Sequence, residues 1–116
     1  MREVVIVSAK RTAIGKMGGT LKAVQAETLA EAALRGVLDE TDIPTGELGQ
    51  VVLGHCRQSS DNPNIARIAA LKAGIDEAVP AFTVMRQCAS GMTAGTASSI
   101  PALRAAMRAM LGLSED

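Results

Sequence analysis

Aromatic side chains are almost missing from this sequence: among 116 residues there is one phenylalanine and neither tryptophan nor tyrosine. Readers of single-stranded nucleic acid stack bases on aromatic rings, so no nucleic-acid partner is expected. The interior must instead be filled by small and aliphatic side chains, which favours close approach of backbones. Net charge is missing too. Twelve Lys plus Arg residues balance twelve Asp plus Glu, which removes electrostatic steering toward DNA or an anionic membrane. No apolar run approaches the roughly 20 residues that span a bilayer. Glu3 stands where a secretory leader needs basic residues, and the apolar run after it is too short for one. Two cysteines, Cys56 and Cys88, are too few for a disulfide scaffold, and a reduced, cytoplasmic setting is expected.

What is present is a chain with 47% hydrophobic residues, enough for the core of one small domain. Val4-Val5-Ile6-Val7 is a β-branched run of the kind buried on both faces of a parallel sheet. A glycine-rich loop follows from Ile14 to Thr20. It lacks the spacing of the phosphate-binding and dinucleotide-binding fingerprints, so its glycines are read as turn formers. Residues 27–39 carry Ala30, Leu34, Val37 and Leu38 on one helical face, with Glu31 placed to pair with Arg35. Val51-Val52-Leu53 reads as a strand ending at Gly54. Asn62-Pro63 signals a helix start, with Asn62 as cap, and Gly74 its end. A third strand is expected over Ala81–Met85 and a helix from about residue 89. Strand and helix alternate, which predicts a layered α/β domain with a mainly parallel sheet.

The chemistry concentrates at Cys88. A cysteine between a strand end and a helix start faces the positive end of the helix dipole, which favours its reactive thiolate form. Arg86 is placed to add positive charge. Ala89, Ser90 and Gly91 have little bulk, so a thioester can approach the sulfur, and backbone N–H groups there can receive charge developing on a carbonyl oxygen. The plain alternative is that Cys88 is a small buried hydrophobe, a common fate of free cysteine. His55 and Cys56 are read as a strand-end pair. With Asp61 they lack the ligand number and spacing of a zinc site, so no metal is expected. Arg67, Lys72 and Glu77 are read as surface or scaffold.

The segment VMRQCASGMTA, Val84 to Ala94, resembles the nucleophile segment of the thiolase family. So, collinearly, do VVIVSAKRTAIGKMGGTLK from Val4, VVLGHCRQSSDNPNIARIAALKAGI from Val51 and VPAFTV from Val79. The resemblance implies a thiolase-like α/β/α layered domain with a mainly parallel mixed sheet, here an incomplete N-terminal half. It implies an acyltransferase in which Cys88 is the catalytic nucleophile, attacking an acyl-CoA or acetyl-CoA thioester and holding the acyl group covalently. The acyl group then passes to CoA in thiolysis, or to an acetyl-CoA carbanion in Claisen condensation. Coenzyme A thioesters would be substrates, with no bound cofactor, in fatty acid metabolism. Family members form dimers or tetramers, so a homo-oligomer is implied. The histidine and second cysteine that complete the family's catalytic set lie in motifs this sequence does not contain, so turnover by this chain alone is not expected.

The sequence departs from the family pattern at Met85 and Thr93, beside the nucleophile, and again after Ile100. Pro101 falls inside the expected nucleophile helix, where proline costs about 3 kcal/mol or more. The expected organisation is therefore a partial thiolase N-terminal domain over residues 1–100 and a divergent tail over 101–116 forming a short helix, with a deletion, a frameshift or a shortened gene as its expected origin. Two alternatives stand beside the acyltransferase: a non-catalytic fragment that docks on intact thiolase subunits, and a relative of the ketoacyl synthases, which also place a cysteine at a strand-to-helix turn. The VSAKRTAIGKMGG opening favours thiolase.

Overall fold

The computed structural model describes residues 4–58 and 62–97. The tail over 101–116 and its expected helix lie outside the described residues, as does Asp61. Helix α1 spans Ala26–Thr41, a 3-10 turn Thr45–Glu47, strand β1 Val51–Gly54, helix α2 Ile65–Lys72, strand β2 Ala81–Val84 and helix α3 Ser90–Ala97. The two strands pair in parallel, with Val51 opposite Ala81 and Gly54 opposite Val84. Parallel neighbours need a crossover, and α2 supplies it. Hydrogen bonds from Val51 N–H to the Pro80 carbonyl (2.9 Å) and from His55 N–H to the Val84 carbonyl (3.0 Å) extend the pairing at either end. Helices α2 and α3 pack on the sheet, and α1 packs on α2. The expected α/β class is what the chain adopts.

The core is built without rings. Val51, Ala70, Ala73, Ile75 and Val79 are buried together, with Leu34, Leu38, Leu48 and Ala81 against them. Ala66 and Ala69 are wholly buried on α2. Alanines on that face let helix and sheet backbones come close, and dispersion at short range replaces the area a large side chain would bury.

Helix α1 has its predicted stripe half-buried, and Arg35 Nε donates to Glu31 one turn back at 3.0 Å. Helix α2 ends as expected at Gly74, which adopts φ +80°. Gly74 N–H bonds the Leu71 carbonyl (3.1 Å) and Ile75 N–H the Ala70 carbonyl (3.0 Å). This is the paired closure that a left-handed glycine permits. The loop after Ile14 is a tight turn with Gly18 at φ +68° and Gly19 N–H bonded to the Lys16 carbonyl.

Two expectations are corrected. Val4–Val7 is not a strand among the described residues, and its side chains are between 65% and 89% exposed. A strand needs a partner edge as well as an apolar sequence, and the described sheet consists of β1 and β2. Asn62 is not the cap of α2. That role falls to Asn64, whose side chain accepts from Arg67 N–H at 3.4 Å. Asn62 instead donates to Glu27 Oε1 at 2.7 Å, satisfying a buried carboxylate in the first turn of α1, with Lys72 Nζ 3.9 Å away.

Asn64 does more than cap. It also accepts from Thr83 Oγ1 (2.8 Å) and donates to the Ala81 carbonyl (3.2 Å), while Thr83 Oγ1 accepts from Ala66 N–H (3.1 Å). The start of α2 is thereby tied to β2. Arg67 adds a second tie through bonds to the Val79 and Glu77 carbonyls at 2.9 and 2.8 Å, so it is scaffold. Together these bonds hold the strand that leads to Cys88.

Candidate active site

Strand β2 ends at Val84, and five residues separate it from α3. Within that connection Gln87 adopts φ +50°, a left-handed conformation uncommon for a residue with a Cβ. Ala89 N–H returns to the Arg86 carbonyl at 3.0 Å and Ser90 N–H to the Gln87 carbonyl at 3.1 Å. The chain reverses tightly and puts Cys88 at the crest, exposed and as a free thiol. The expectation of a cysteine at a strand-to-helix junction matches this placement. The alternative of a buried hydrophobe does not.

The surroundings differ from the expectation in two respects. Arg86 directs its guanidinium to Thr93 Oγ1 at 3.2 Å, so this charge is engaged along the face of α3. The amides of Ala89 and Ser90 close the turn and are therefore not the ones aimed at a bound carbonyl oxygen. His55 and Cys56 lie just beyond β1, His55 half-buried and Cys56 exposed. Among the described residues no group of three or more His, Cys, Asp or Glu side chains is placed to hold a metal ion. No helix there is long and apolar enough to cross a membrane.

Two residues that shape the turn were not singled out for their own sake in the sequence. Ser90 is 3% exposed, and its hydroxyl donates to the Gln87 carbonyl (2.7 Å) while accepting from Arg86 N–H (2.9 Å). Gly54, at the end of β1, lies flat against the first turn of α3. A Cβ there would stand 2.4 Å from the carbonyl carbon and oxygen of Ser90 and 2.6 Å from Gly91 nitrogen. Glycine at a strand end is the available signal for such an approach of two backbones. Nothing local in the sequence says which backbone it meets.

Comparison with known proteins places this geometry in a family. The profile of the thiolase N-terminal domain matches residues 4–110, and the chain belongs to the thiolase family. It is 40% identical over 94 residues to the "Probable acetyl-CoA acyltransferase" of Staphylococcus epidermidis, covering 81% of this chain and 24% of that protein. To the "Acetyl-CoA acetyltransferase" of Pseudomonas aeruginosa it is likewise 40% identical over 94 residues, with the same coverage. The crystal structure of the Bacillus anthracis acetyl-CoA acetyltransferase superposes with a TM-score of 0.74 and 41% identity, covering 96% of this chain and 26% of that one. The chain thus spans about a quarter of the length of the relatives it matches.

Proposed function

We propose that this chain supplies the acyl-accepting cysteine of a thiolase-type acyltransferase, with Cys88 as the nucleophile. The observation that carries the reading is the exposure of Cys88 at the crest of a tight strand-to-helix turn, in a chain whose thiolase-family match runs through it. The Cys88 sulfur attacks the carbonyl carbon of an acyl-CoA thioester. A new carbon–sulfur bond forms, the bond to the CoA sulfur breaks, and CoA leaves as its thiolate. The proton of the Cys88 thiol passes to solvent base, to which the exposed sulfur is open, and the leaving thiolate takes one up. The acyl-cysteine then gives its acyl group to CoA or to an acetyl-CoA carbanion. Splitting the transfer in this way replaces one difficult step with two easier ones.

In this reading the substrates are coenzyme A thioesters and the acyl carrier is Cys88 itself, so the half-reaction needs no resident cofactor or metal. Assembly with further copies, implied by the resemblance, and a cytoplasmic setting, expected from a chain with only two cysteines, belong to the same proposal. The names of the relatives support acetyl-CoA as the first substrate to try. The test is intact-mass analysis of the purified chain after incubation with acetyl-CoA. An acetyl adduct that disappears in Cys88→Ala and persists in Cys56→Ala is expected. An adduct lost only in Cys56→Ala, or none in a chain that circular dichroism shows to be folded, would refute the assignment and favour a fragment that docks on other thiolase subunits.

A further inference from the structure

We infer that Ser90 is a positioning residue for Cys88: its buried hydroxyl clamps the left-handed turn at Gln87 and fixes the direction in which the sulfur projects. Gln87 at φ +50° is in a region that a side chain with a Cβ avoids, so neighbouring contacts must hold it there. The Ser90 side chain provides them. Its oxygen bridges the two residues before Cys88, accepting from Arg86 N–H at 2.9 Å and donating to the Gln87 carbonyl at 2.7 Å. The same Gln87 carbonyl also takes the Ser90 N–H at 3.1 Å. Ser90 is itself immobilised from outside the turn. It is 3% exposed, and Gly54 of β1 presses on its backbone so closely that a Cβ would meet its carbonyl at 2.4 Å.

The order of contact is β1 through Gly54 to Ser90, then through the hydroxyl to Gln87, and so to Cys88. An exposed sulfur on a two-sided turn has many directions open to it. One clamp anchored in the sheet selects among them. Serine is needed because the bridge calls for a donor and an acceptor on one short side chain, which alanine and glycine lack and which threonine offers only with an extra methyl group at a buried position.

This inference rests on the acyl-cysteine reading for its consequence in acyl transfer, yet the clamp can be tested without acyl-CoA. Iodoacetamide alkylation of the folded chain, followed by peptide mass analysis, gives the rates at Cys88 and at Cys56 in the same molecule. Ser90→Ala is expected to lower the Cys88-to-Cys56 rate ratio about tenfold, since an unclamped Gln87 leaves the left-handed region and the exposed placement of the sulfur at the crest is lost with it. Adding Gln87→Gly, which accepts a positive φ without a clamp, is expected to restore most of the ratio. Gln87→Val disturbs the same turn without entering the buried site, and it should lower the ratio too, which covers the case in which Ser90→Ala does not fold. A ratio unchanged in folded Ser90→Ala, a fall that Gln87→Gly leaves in place, or no fall in Gln87→Val overturns the inference. Repeating the series with acetyl-CoA separates the two claims. Shifted alkylation with no acetyl adduct in any variant keeps the clamp and sinks the acyl-cysteine reading.

Discussion

At the scale of single residues, the turn that carries Cys88 depends on what is small. Gly54 lets the end of β1 lie against the backbone of Ser90 with no side chain between them. Gly54→Ala must push the two apart, because the clash is with backbone and not with the tip of a flexible side chain. Overpacking of this kind costs about 1–3 kcal/mol. The change should lower thermal stability by that amount, read by circular dichroism, and slow alkylation of Cys88 more than of Cys56. Wild-type stability together with an unchanged rate at Cys88 would mean that β1 and α3 are not held at this distance. The sequence announces Cys88 through its neighbours, and the structure agrees on its place. It does not announce the fate of Arg86: charge near a cysteine in sequence says nothing of where a long side chain finds its acceptor, and here that acceptor is Thr93.

At the scale of elements, the periodic segments were legible and the solitary ones were not. The apolar spacing of Ala30, Leu34, Val37 and Leu38 defines α1 because one face of a helix is a local property. Val4–Val7 carries an equally strong apolar signal, yet a strand is a property of two segments, and pairing cannot be read from one. Asn62, two residues before Asn64, was the cap the local pattern indicated for α2. Asn64 takes that place because its amide also reaches β2, a tertiary contact invisible in the local pattern. Asn64→Ala removes the cap and the bond to Ala81 together. A loss of about 1–2 kcal/mol is expected in chemical denaturation, at the upper end for a cap. A loss no larger than a few tenths would show that the network is not formed.

The segment before α1 is held by charge. Ser8 donates to Glu40, and Lys10 Nζ lies 3.2 Å from Glu40 Oε1. The Ser8 hydrogen bond, then Lys10, hold the Glu40 carboxyl below its ordinary value. A carboxyl depressed in the folded state favours that state above its unfolded value, about 4.3, and the benefit disappears as pH falls through the lower folded value. The tether should therefore persist on acidification past the point where free glutamate is half protonated. Amide chemical shifts of Ser8 and Lys10, followed by NMR between about pH 2 and 6, would show a midpoint below the ordinary one. A midpoint at or above it would mean that the tether is not populated.

At the scale of the whole molecule, the shortage of aromatics has a structural counterpart in a core of Val, Ile, Leu and Ala. Such a core gains from close packing, and each aliphatic side chain in it carries a large share of the total. Ile75 is 4% exposed at the junction of α2 and the loop into β2. Ile75→Ala should cost about 2–5 kcal/mol, a large fraction of the roughly 5–15 kcal/mol that holds a domain folded. Loss of the cooperative transition is the expected result, followed by far-ultraviolet circular dichroism because the chain has no tryptophan. A cooperative transition shifted by less than about 1 kcal/mol would place Ile75 outside the core. The α/β class was readable because alternation of strand and helix is written along the chain. The convergence of β1, β2 and α3 on one turn was not, because it depends on contacts such as Gly54 with Ser90 that span the crossover.

Exchange of an acyl group between Cys88 and coenzyme A is the step on which the proposed function depends. The direct measurement charges the full chain with isotopically labelled acetyl-CoA, removes excess, adds unlabelled CoA, and follows label on the Cys88 and Cys56 peptides by mass spectrometry. Label on Cys88 that CoA discharges as labelled acetyl-CoA is expected, with Cys56 remaining at background; this exchange uses Cys88 alone and stops short of thiolase turnover, which needs residues this sequence lacks. Label shared equally by the two cysteines, or an adduct on Cys88 that added CoA does not remove, would contradict the proposed function.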